Sequence, residues 1–422
     1  MRRWKWKLAA VALCSLVAGS SFAQVRIKML TYNLLNYPNS SVDPRADTLK
    51  RIIDFYKPDL FLMQELRAEW GVGALLQTAF NTQITDAYAS GTWAPMQSAP
   101  SNVFKLQQNV IYNEDKLTLL REWLLTTTIR DLNFFKFMVN DPNLEFHNDT
   151  TFIYAVSAHL KAGNTSQDRF LRQEMTQVMV AGMEDFEPYA GVLVGGDFNL
   201  YSSTEQAYQT LLNPLNPVQL KDPLSAPGEW SNNPAFAWLH TQSTRTTSLG
   251  DGATGGVDDR FDFILASANM FDADARIRYV SSSYEALGNN GTCFDQRIID
   301  CVGGNTPQSI RWALWQMSDH LPVKMEVDAF LPQFVGIDQQ TQHSLTITGE
   351  NCVSQSLRLT TNAHLPPTPY TITDSFGKVL QRGITQGGEL LHIEVAALPQ
   401  GIHLLHLENT SLRPYRFLKI NE

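Results

Sequence analysis

Cysteine is scarce in this chain, with four in 422 residues, and none of them stands in a zinc-like Cys/His spacing. A structural zinc module is therefore excluded. Beyond the first 23 residues no apolar run approaches the ~20 residues that a membrane-spanning helix needs. There is no internal repeat and no low-complexity tract, and the composition excludes a disordered chain, a coiled coil and a collagen-like fibre. Basic charge is also short: 33 Lys and Arg stand against 42 Asp and Glu, a formal net charge of −9. The first 23 residues hold four bases and no acid, which leaves −13 on the rest. That excludes a sequence-reading nucleic-acid binder with a basic footprint. It leaves room for an enzyme that meets phosphates through a metal, because a bound cation reverses the local sign.

What is present is an ordinary globular balance, 43% hydrophobic and 10% aromatic, long enough for two domains. Residues 1–7 are basic, 8–19 are apolar, and Ser21-Phe22-Ala23 ends the stretch with small residues at the two positions a signal peptidase reads. Residues 1–23 thus form a secretory signal. A membrane anchor would need a longer run, and a lipoprotein site at Cys14 would want a smaller residue than Leu13 before it. The expected destination is outside the cell, as a monomer with no transmembrane segment once the signal is removed. In an oxidising compartment Cys293 and Cys301 are expected to bridge within a Gly/Asn-rich loop, the alternative being two free thiols, and Cys352 stands alone.

The mature chain opens on a strand, 24–36, followed by a helix over 44–57 that Asp43 can cap, Pro44 starts and Pro58 stops. A strand at 59–64 then delivers Glu65. The same grammar recurs: a strand at 150–158 before His159, a helix over 168–186, a short buried strand at 191–195 before Gly196-Asp197-Phe198-Asn199, and strands at 260–267 and 321–327. Strands mixed with helices predict an α/β or α+β core with layered sheets. The Ser/Thr/Asn/Pro/Gly-rich stretch 200–256 suits loops around a cleft. After about residue 330 only short β-prone runs separated by turns remain, which predicts a small all-β sandwich. Residues 331–422 hold seven acids and six bases, so nearly all the acidity lies in 24–330.

Polar residues gather at strand ends: Asn33, Glu65, His159, Asp197 with Asn199, and Asp319 with His320, while Asp262 interrupts an apolar strand. Carboxylates, amides and two imidazoles suit a hard divalent cation with oxygen ligands, Mg²⁺ first and Mn²⁺ or Ca²⁺ as alternatives, together with acid/base groups for a phosphate ester. Singly, each has a plain structural reading as a turn amide, a surface carboxylate or a buried imidazole. Asp262 is the exception, since a buried carboxylate needs a partner.

The motifs TYNLLN around Asn33, PDLFLMQEL around Glu65, VSAHLKAG around His159, GGDFNL around Asp197, RFDFILAS around Asp262 and SDHLPV around His320 follow one another in this order. Over residues 25–330 the chain resembles the endonuclease/exonuclease/phosphatase superfamily, with its deoxyribonuclease I-like fold. The resemblance implies a four-layer sandwich, two packed mixed β-sheets flanked by helices. It also implies roles. Glu65 would be the main Mg²⁺ ligand, with Asn33 beside it and Asp319 near the metal or leaving group. Asp197 would orient or deprotonate water, and Asn199 would bond the phosphoryl oxygens. His320 would contact the phosphate and transfer a proton, with Asp262 fixing its tautomer. His159 would be a second imidazole beside the scissile phosphate. Two departures stand out: residues 131–149 match no motif, and the loop 281–311 is not the basic DNA-gripping loop of a strong nuclease.

The C-terminal segment, with ITDSFGKVLQRG and then LPQGIHLLHLENTSLRPYRFLKI, resembles the sorting domain of the type IX secretion system, which implies export to the outer-membrane surface or medium through that machinery. The alternative is a carbohydrate- or protein-binding β-sandwich. The expected division is signal 1–23, catalytic domain 24–330, linker 331–343 and β-sandwich 344–422. The expected activity is Mg²⁺-dependent hydrolysis of phosphodiesters in extracellular nucleic acid. The alternatives are a sphingomyelinase-like or small-molecule phosphoesterase, with Trp93, Trp230 and Trp238 as candidate apolar contacts near the cleft, and an inactive binding protein on the same fold.

Overall fold

The structure is a computed structural model that describes residues 23–40, 43–83, 86–98, 105–144, 149–331, 347–349, 351–374, 377–408 and 414–420. Residues 1–22, which hold Cys14 and all but the last residue of the expected signal, and residues 332–346, which hold all but the first residue of the expected linker, lie outside the described residues. The chain divides into two compact units, 1–334 and 335–422. No helix among the described residues is long and apolar enough to cross a membrane.

In the first unit, one sheet contains β1 (Ala23–Tyr37), β2 (Leu60–Leu66), β3 (Tyr88–Ser90), β4 (Gln107–Asn113), and, later in the chain, β11 (Ile277–Tyr279), β12 (Glu285–Ala286) and β13 (Val323–Leu331). The other holds β5 (Leu117–Leu125), β6 (Leu132–Val139), β7 (Phe152–His159), β8 (Gly191–Asp197), β9 (Leu220–Lys221) and β10 (Asp262–Ser267). Both sheets are mixed: β1 runs parallel to β2 and antiparallel to β13, and β7 runs parallel to β8 while β10 opposes it. The helices are α1 (Arg45–Tyr56), α2 (Glu69–Leu75), α3 (Ser166–Ala181), α4 (Gln206–Leu211) and α5 (Gln308–Met317).

The period-2 alternation of side chains explains the layering. Along β1, Ile27 and Met29 face the second sheet and, with Leu62 of β2 beside them and Phe137, Ala155, Leu193 and Ile264 opposite, form a buried core between the sheets. Leu30, Tyr32 and Leu34 face the other way, onto Leu49, Ile52 and Ile53 of α1 and Ile310, Leu314 and Met317 of α5. On the far side, Val156, Val194 and Phe263 pack under Met175 and Met179 of α3. The result is helix, sheet, sheet, helix, as expected. Each fully buried Leu, Ile or Phe contributes ~1.5–3 kcal/mol of hydrophobic stabilisation.

Two segments differ from the sequence reading. The stretch 131–149 supplies β6, whose Phe135 and Phe137 face the central core while Phe134 faces α3. The loop expected through 311 ends earlier, because α5 begins at Gln308. Within that loop Cys293 and Cys301 are disulfide-bonded, and Cys352 is free and exposed.

The second unit has a three-stranded sheet of β14 (Ile347–Gly349), β16 (Ser356–Leu365) and β19 (Gly388–Glu394). A five-stranded sheet holds β15 (Cys352–Val353), β17 (Pro369–Asp374), β18 (Val379–Ile384), β20 (Gly401–Leu407) and β21 (Tyr415–Lys419). Leu357, Leu359 and Ile393 from the first meet Ile372, Leu405 and Phe417 from the second in one core. This is the all-β module expected from the texture of the sequence.

Candidate active site

The parallel strand pairs end together. Asn33 is in register with Gln64 on β2, His159 with Asp197, and Asp197 with Asp262 on β10. Side chains at these strand ends therefore converge at one rim of the sandwich, where α/β proteins place their ligands. Just beneath the rim Gln64, wholly buried, donates to Thr31 Oγ1 at 3.1 Å and Ser157 Oγ at 3.0 Å, tying the two sheets together under the site.

Asn33 is the hub. Its amide nitrogen lies 3.0 Å from Glu65 Oε1, 3.0 Å from Asp197 Oδ2 and 3.5 Å from His320 Nε2, although His320 is 287 residues away in sequence. Ser318 locks the start of β13 onto this hub, donating to Asn33 O at 2.7 Å and accepting from His320 N at 3.1 Å. Glu65 also accepts from Asn36 N at 2.9 Å. The backbone is strained where the site is built: Glu65 has φ 60° and Asn199 φ 50°, left-handed conformations that cost non-glycine residues ~1–3 kcal/mol. Gly196, with φ 153°, is obligatory for a different reason, since a Cβ there would sit 1.8 Å from Ala158 O.

The electrostatics follow from burial. Glu65 is pushed up by burial, opposed by the Asn33 hydrogen bond. Asp197 is pushed up to about 7, by burial first and then by the charges of Asp262 and Glu65. His159 Nε2 stands 3.4 Å from Asp197 Oδ2 and 3.8 Å from Glu65 Oε1. Burial, together with the charges on Arg130 and His320, carries it well below the ordinary histidine range, so it is neutral. Burial acts against charge on His320 too, yet Asp262, Asp197 and Asp319 together raise it well above that range. Its Nδ1 lies 2.8 Å from Asp262 Oδ2, which fixes the ring and leaves Nε2 toward the rim. Asn199 N donates to Asp197 Oδ1 at 3.1 Å and its side chain to Leu160 O at 3.2 Å.

Of the eight residues singled out in the sequence, seven meet here. Asp319 stands slightly apart: its carboxylate accepts from Ala253 N at 2.6 Å and Gln242 Nε2 at 3.3 Å. Two side chains at the rim were not anticipated. Arg130, between β5 and β6, donates to Leu160 O, the carbonyl that also holds Asn199, and is acted on by the charges of Glu65 and Asp197. Gln242 lies 2.5 Å from His320 Nε2. Neither carries a local sequence signal. Trp230, by contrast, is wholly buried and bonds Ala226 O at 2.8 Å, a core residue rather than a cleft contact.

Glu65, His159 and Asp197 each present a ligand atom within 4.8 Å of the others, as do Asp197, Asp262 and His320. In the second group Asp262 Oδ2 and His320 Nδ1 are already paired at 2.8 Å, although Asp262 Oδ1 has no partner among the described residues; in the first His159 Nε2 stands 3.4 Å or more from both carboxylates, and this more open group is the candidate metal centre. The donor set fits a hard divalent ion. His159 Nδ1 is buried with no hydrogen-bond partner among the described residues. Glu65 and Asp197, two carboxylates whose proton affinity burial raises, stand side by side here, and a divalent ion between them would offset their charge.

A two-sheet α/β sandwich with paired carboxylates and imidazoles over the ends of its parallel strands defines a class of hydrolytic scaffold. Residues 30–320 match the Endonuclease/Exonuclease/phosphatase family, and the chain belongs to that family of nuclease and phosphodiesterase hydrolases. No curated protein matches the chain significantly. Similar solved structures include an endonuclease/exonuclease/phosphatase family protein from Bacteroides thetaiotaomicron (14% identical over 74% of this chain and 98% of that one, TM-score 0.45). Others are D. rerio TDP2 complexed with single strand DNA product (14%, 72% and 98%, 0.44) and the human Nocturnin catalytic domain with bound sulfate anion (15%, 72% and 97%, 0.44).

Proposed function

We propose that this protein is an exported, Mg²⁺-dependent phosphodiesterase that hydrolyses extracellular nucleic acid. The observation that carries the reading is the meeting of Asn33, Glu65, His159, Asp197, Asn199, Asp262 and His320 at one rim, from strands spread over nearly three hundred residues. Glu65, Asp197 and His159 would hold the ion, with Asn33 beside them. When bound, the ion offsets the negative charge that a phosphate ester brings and that builds up in its transition state. The chain supplies the remaining chemistry. Asp197, accepting from Asn33 and Asn199 N, is fixed to hold a water and take its proton. Asn199 and Arg130, anchored on one carbonyl, present donors for the phosphoryl oxygens. His320, charged and braced by Asp262, gives a proton to the departing oxygen. Export rests on the basic-then-apolar N-terminus and on the likeness of the C-terminal unit to a type IX sorting domain.

A lipid phosphodiesterase is the second reading, favoured by Trp238 and Leu249, which are 49% and 48% exposed; Trp238 lines a cavity of about 220 Å³ together with Asp262. Assaying the full chain on plasmid DNA, RNA, sphingomyelin and bis-p-nitrophenyl phosphate, with Mg²⁺ and then with chelator, separates the readings. Hydrolysis of DNA or RNA that chelation abolishes is expected. Turnover of sphingomyelin alone would move the assignment to lipid, and binding without turnover would leave only a scaffold.

Ion binding should also release protons. Asp197, at about 7, is partly protonated near neutrality in the metal-free protein, and burial raises its neighbour Glu65 in the same direction; a metal requires its carboxylate ligands deprotonated. Titration calorimetry at pH 6 in two buffers of different ionisation enthalpy should show about one proton released per ion, falling toward none at about pH 9. Affinity should weaken ~10-fold per pH unit below about 7. Buffer-independent heats at pH 6 would contradict the assignment of these ligands.

A further inference from the structure

Gln242 sits in the irregular segment between β9 and β10, clamped by its own backbone. It bridges both Asp259 and His320, and its carbonyl accepts from Asp258 N and Asp259 N, each at 2.8 Å. On its C-terminal side Ser243 Oγ donates to Ala253 O at 2.8 Å and Thr244 Oγ1 to Ser318 O at 2.6 Å. The main chain therefore has little freedom, and the side chain projects from a fixed point onto the outer edge of the His320 ring.

The amide nitrogen there carries two hydrogens. Asp319 Oδ2, 3.3 Å away, takes one. The other faces His320 Nε2 at 2.5 Å, the ring nitrogen that Asp262 does not hold. When His320 carries both its protons, two N–H groups confront each other across that gap. The amide then has to turn, and its bond to Asp319 is the point on which it turns. An ester oxygen that accepts from Nε2 lies within reach of the same amide hydrogen.

We propose that Gln242 is a further catalytic residue: held by Asp319, its amide donates a hydrogen bond to the leaving oxygen of the ester while His320 protonates that oxygen. The proposal rests on the phosphodiesterase reading above. In the step it joins, the water oxygen forms a bond to phosphorus and gives its proton to Asp197. The bond from phosphorus to the leaving oxygen breaks, and that oxygen takes the Nε2 proton, leaving His320 neutral. Gln242 exchanges no proton. It lowers the charge that the departing oxygen must carry before the proton arrives.

Such a donor matters most when the leaving anion is unstable. The test compares two thymidine 5′-phosphodiesters, the p-nitrophenyl ester, whose leaving phenolate is stable by itself, and dithymidine phosphate, whose leaving group is an alkoxide. Gln242→Met keeps the length of the side chain and removes both donors, and Gln242→Ala serves as a second variant should Met disturb the fold. With Mg²⁺, kcat on dithymidine phosphate should fall about 10²-fold, the loss typical of one transition-state donor, and the p-nitrophenyl ester should change less than about 3-fold. Equal losses on both esters would show a merely structural role, and no loss on either would remove Gln242 from the reaction; both overturn the proposal. Wild-type protein that turns over neither ester overturns the phosphodiesterase reading itself, and this step with it.

Discussion

Replacing Asp197 by Asn should weaken ion binding and, at saturating Mg²⁺, still lower kcat on a phosphodiester by about 10²–10⁴-fold, the range expected on losing a positioned general base, while making the metal-free protein less sensitive to pH. The last effect follows from the residue's environment. The folded pKa of Asp197, about 7, lies above its ordinary value of 3.8. The folded state therefore binds the proton more tightly than the unfolded state, and the stability this gives is present at low pH and lost as pH rises through about 7. Asn carries no charge, keeps nearly the same shape, and can still accept from Asn199 N through its carbonyl, while the Asn33 amide gives up its bond to residue 197 and keeps the one to Glu65. In chelator, wild type should melt at a lower temperature at pH 8 than at pH 5. Asp197→Asn should show a smaller fall and be at least as stable as wild type at pH 8. A variant that is inactive because it is unfolded would show the opposite, so the melting curve separates chemistry from folding.

The layered core was legible because its signals are local. β1 shows period-2 apolar spacing, α1 shows helical spacing with proline at both boundaries, and β8 and β10 are apolar runs too short for helices. Six of the site residues were legible for a related reason: each is a polar group closing or interrupting an apolar strand, and strand ends of this kind share one rim once the register is fixed. Asn199 was legible through the same turn that holds Asp197.

Other features were not legible, for physical reasons. The strand β6 carries Leu132, Phe134, Phe135 and Phe137 with hardly a polar break, because both its faces are covered, one by the opposite sheet and one by α3; without alternation its period is hidden. Gln64 is a buried amide inside the strand read as apolar, and only the partner sheet reveals why it is tolerated: Thr31 and Ser157 satisfy it. Arg130 and Gln242 reach the site from connecting segments, whose course is set by tertiary packing rather than by any spacing in their own sequence. Trp230 shows the reverse error, an aromatic in a Ser/Asn-rich stretch that folds inward against Tyr208 and Phe263.

Asp262→Asn should cost about as much activity as the loss of Asp197, although Asp262 acts from behind the His320 ring. Its carboxylate is 1% exposed and holds His320 Nδ1 at 2.8 Å. Burial alone would keep His320 neutral; Asp262 is the largest influence in the other direction. An asparagine there removes the negative charge and offers either an N–H that repels a protonated Nδ1 or a neutral oxygen that holds it weakly. His320 would then hold its second proton less tightly, with only Asp197 and Asp319 left to favour the charged ring, and the supply of a proton at Nε2 would weaken as pH rises. The expected loss in kcat is about 10²–10⁴-fold, the worth of general acid catalysis, with KM little changed because the phosphate donors Asn199 and Arg130 are untouched. The loss should be smallest at low pH, where protonation of His320 is restored from solution, and should deepen as pH rises, whereas wild type holds its activity to a higher pH. A loss independent of pH would mean that Asp262 only positions the ring, and full activity at pH 8 would remove the pair from the mechanism.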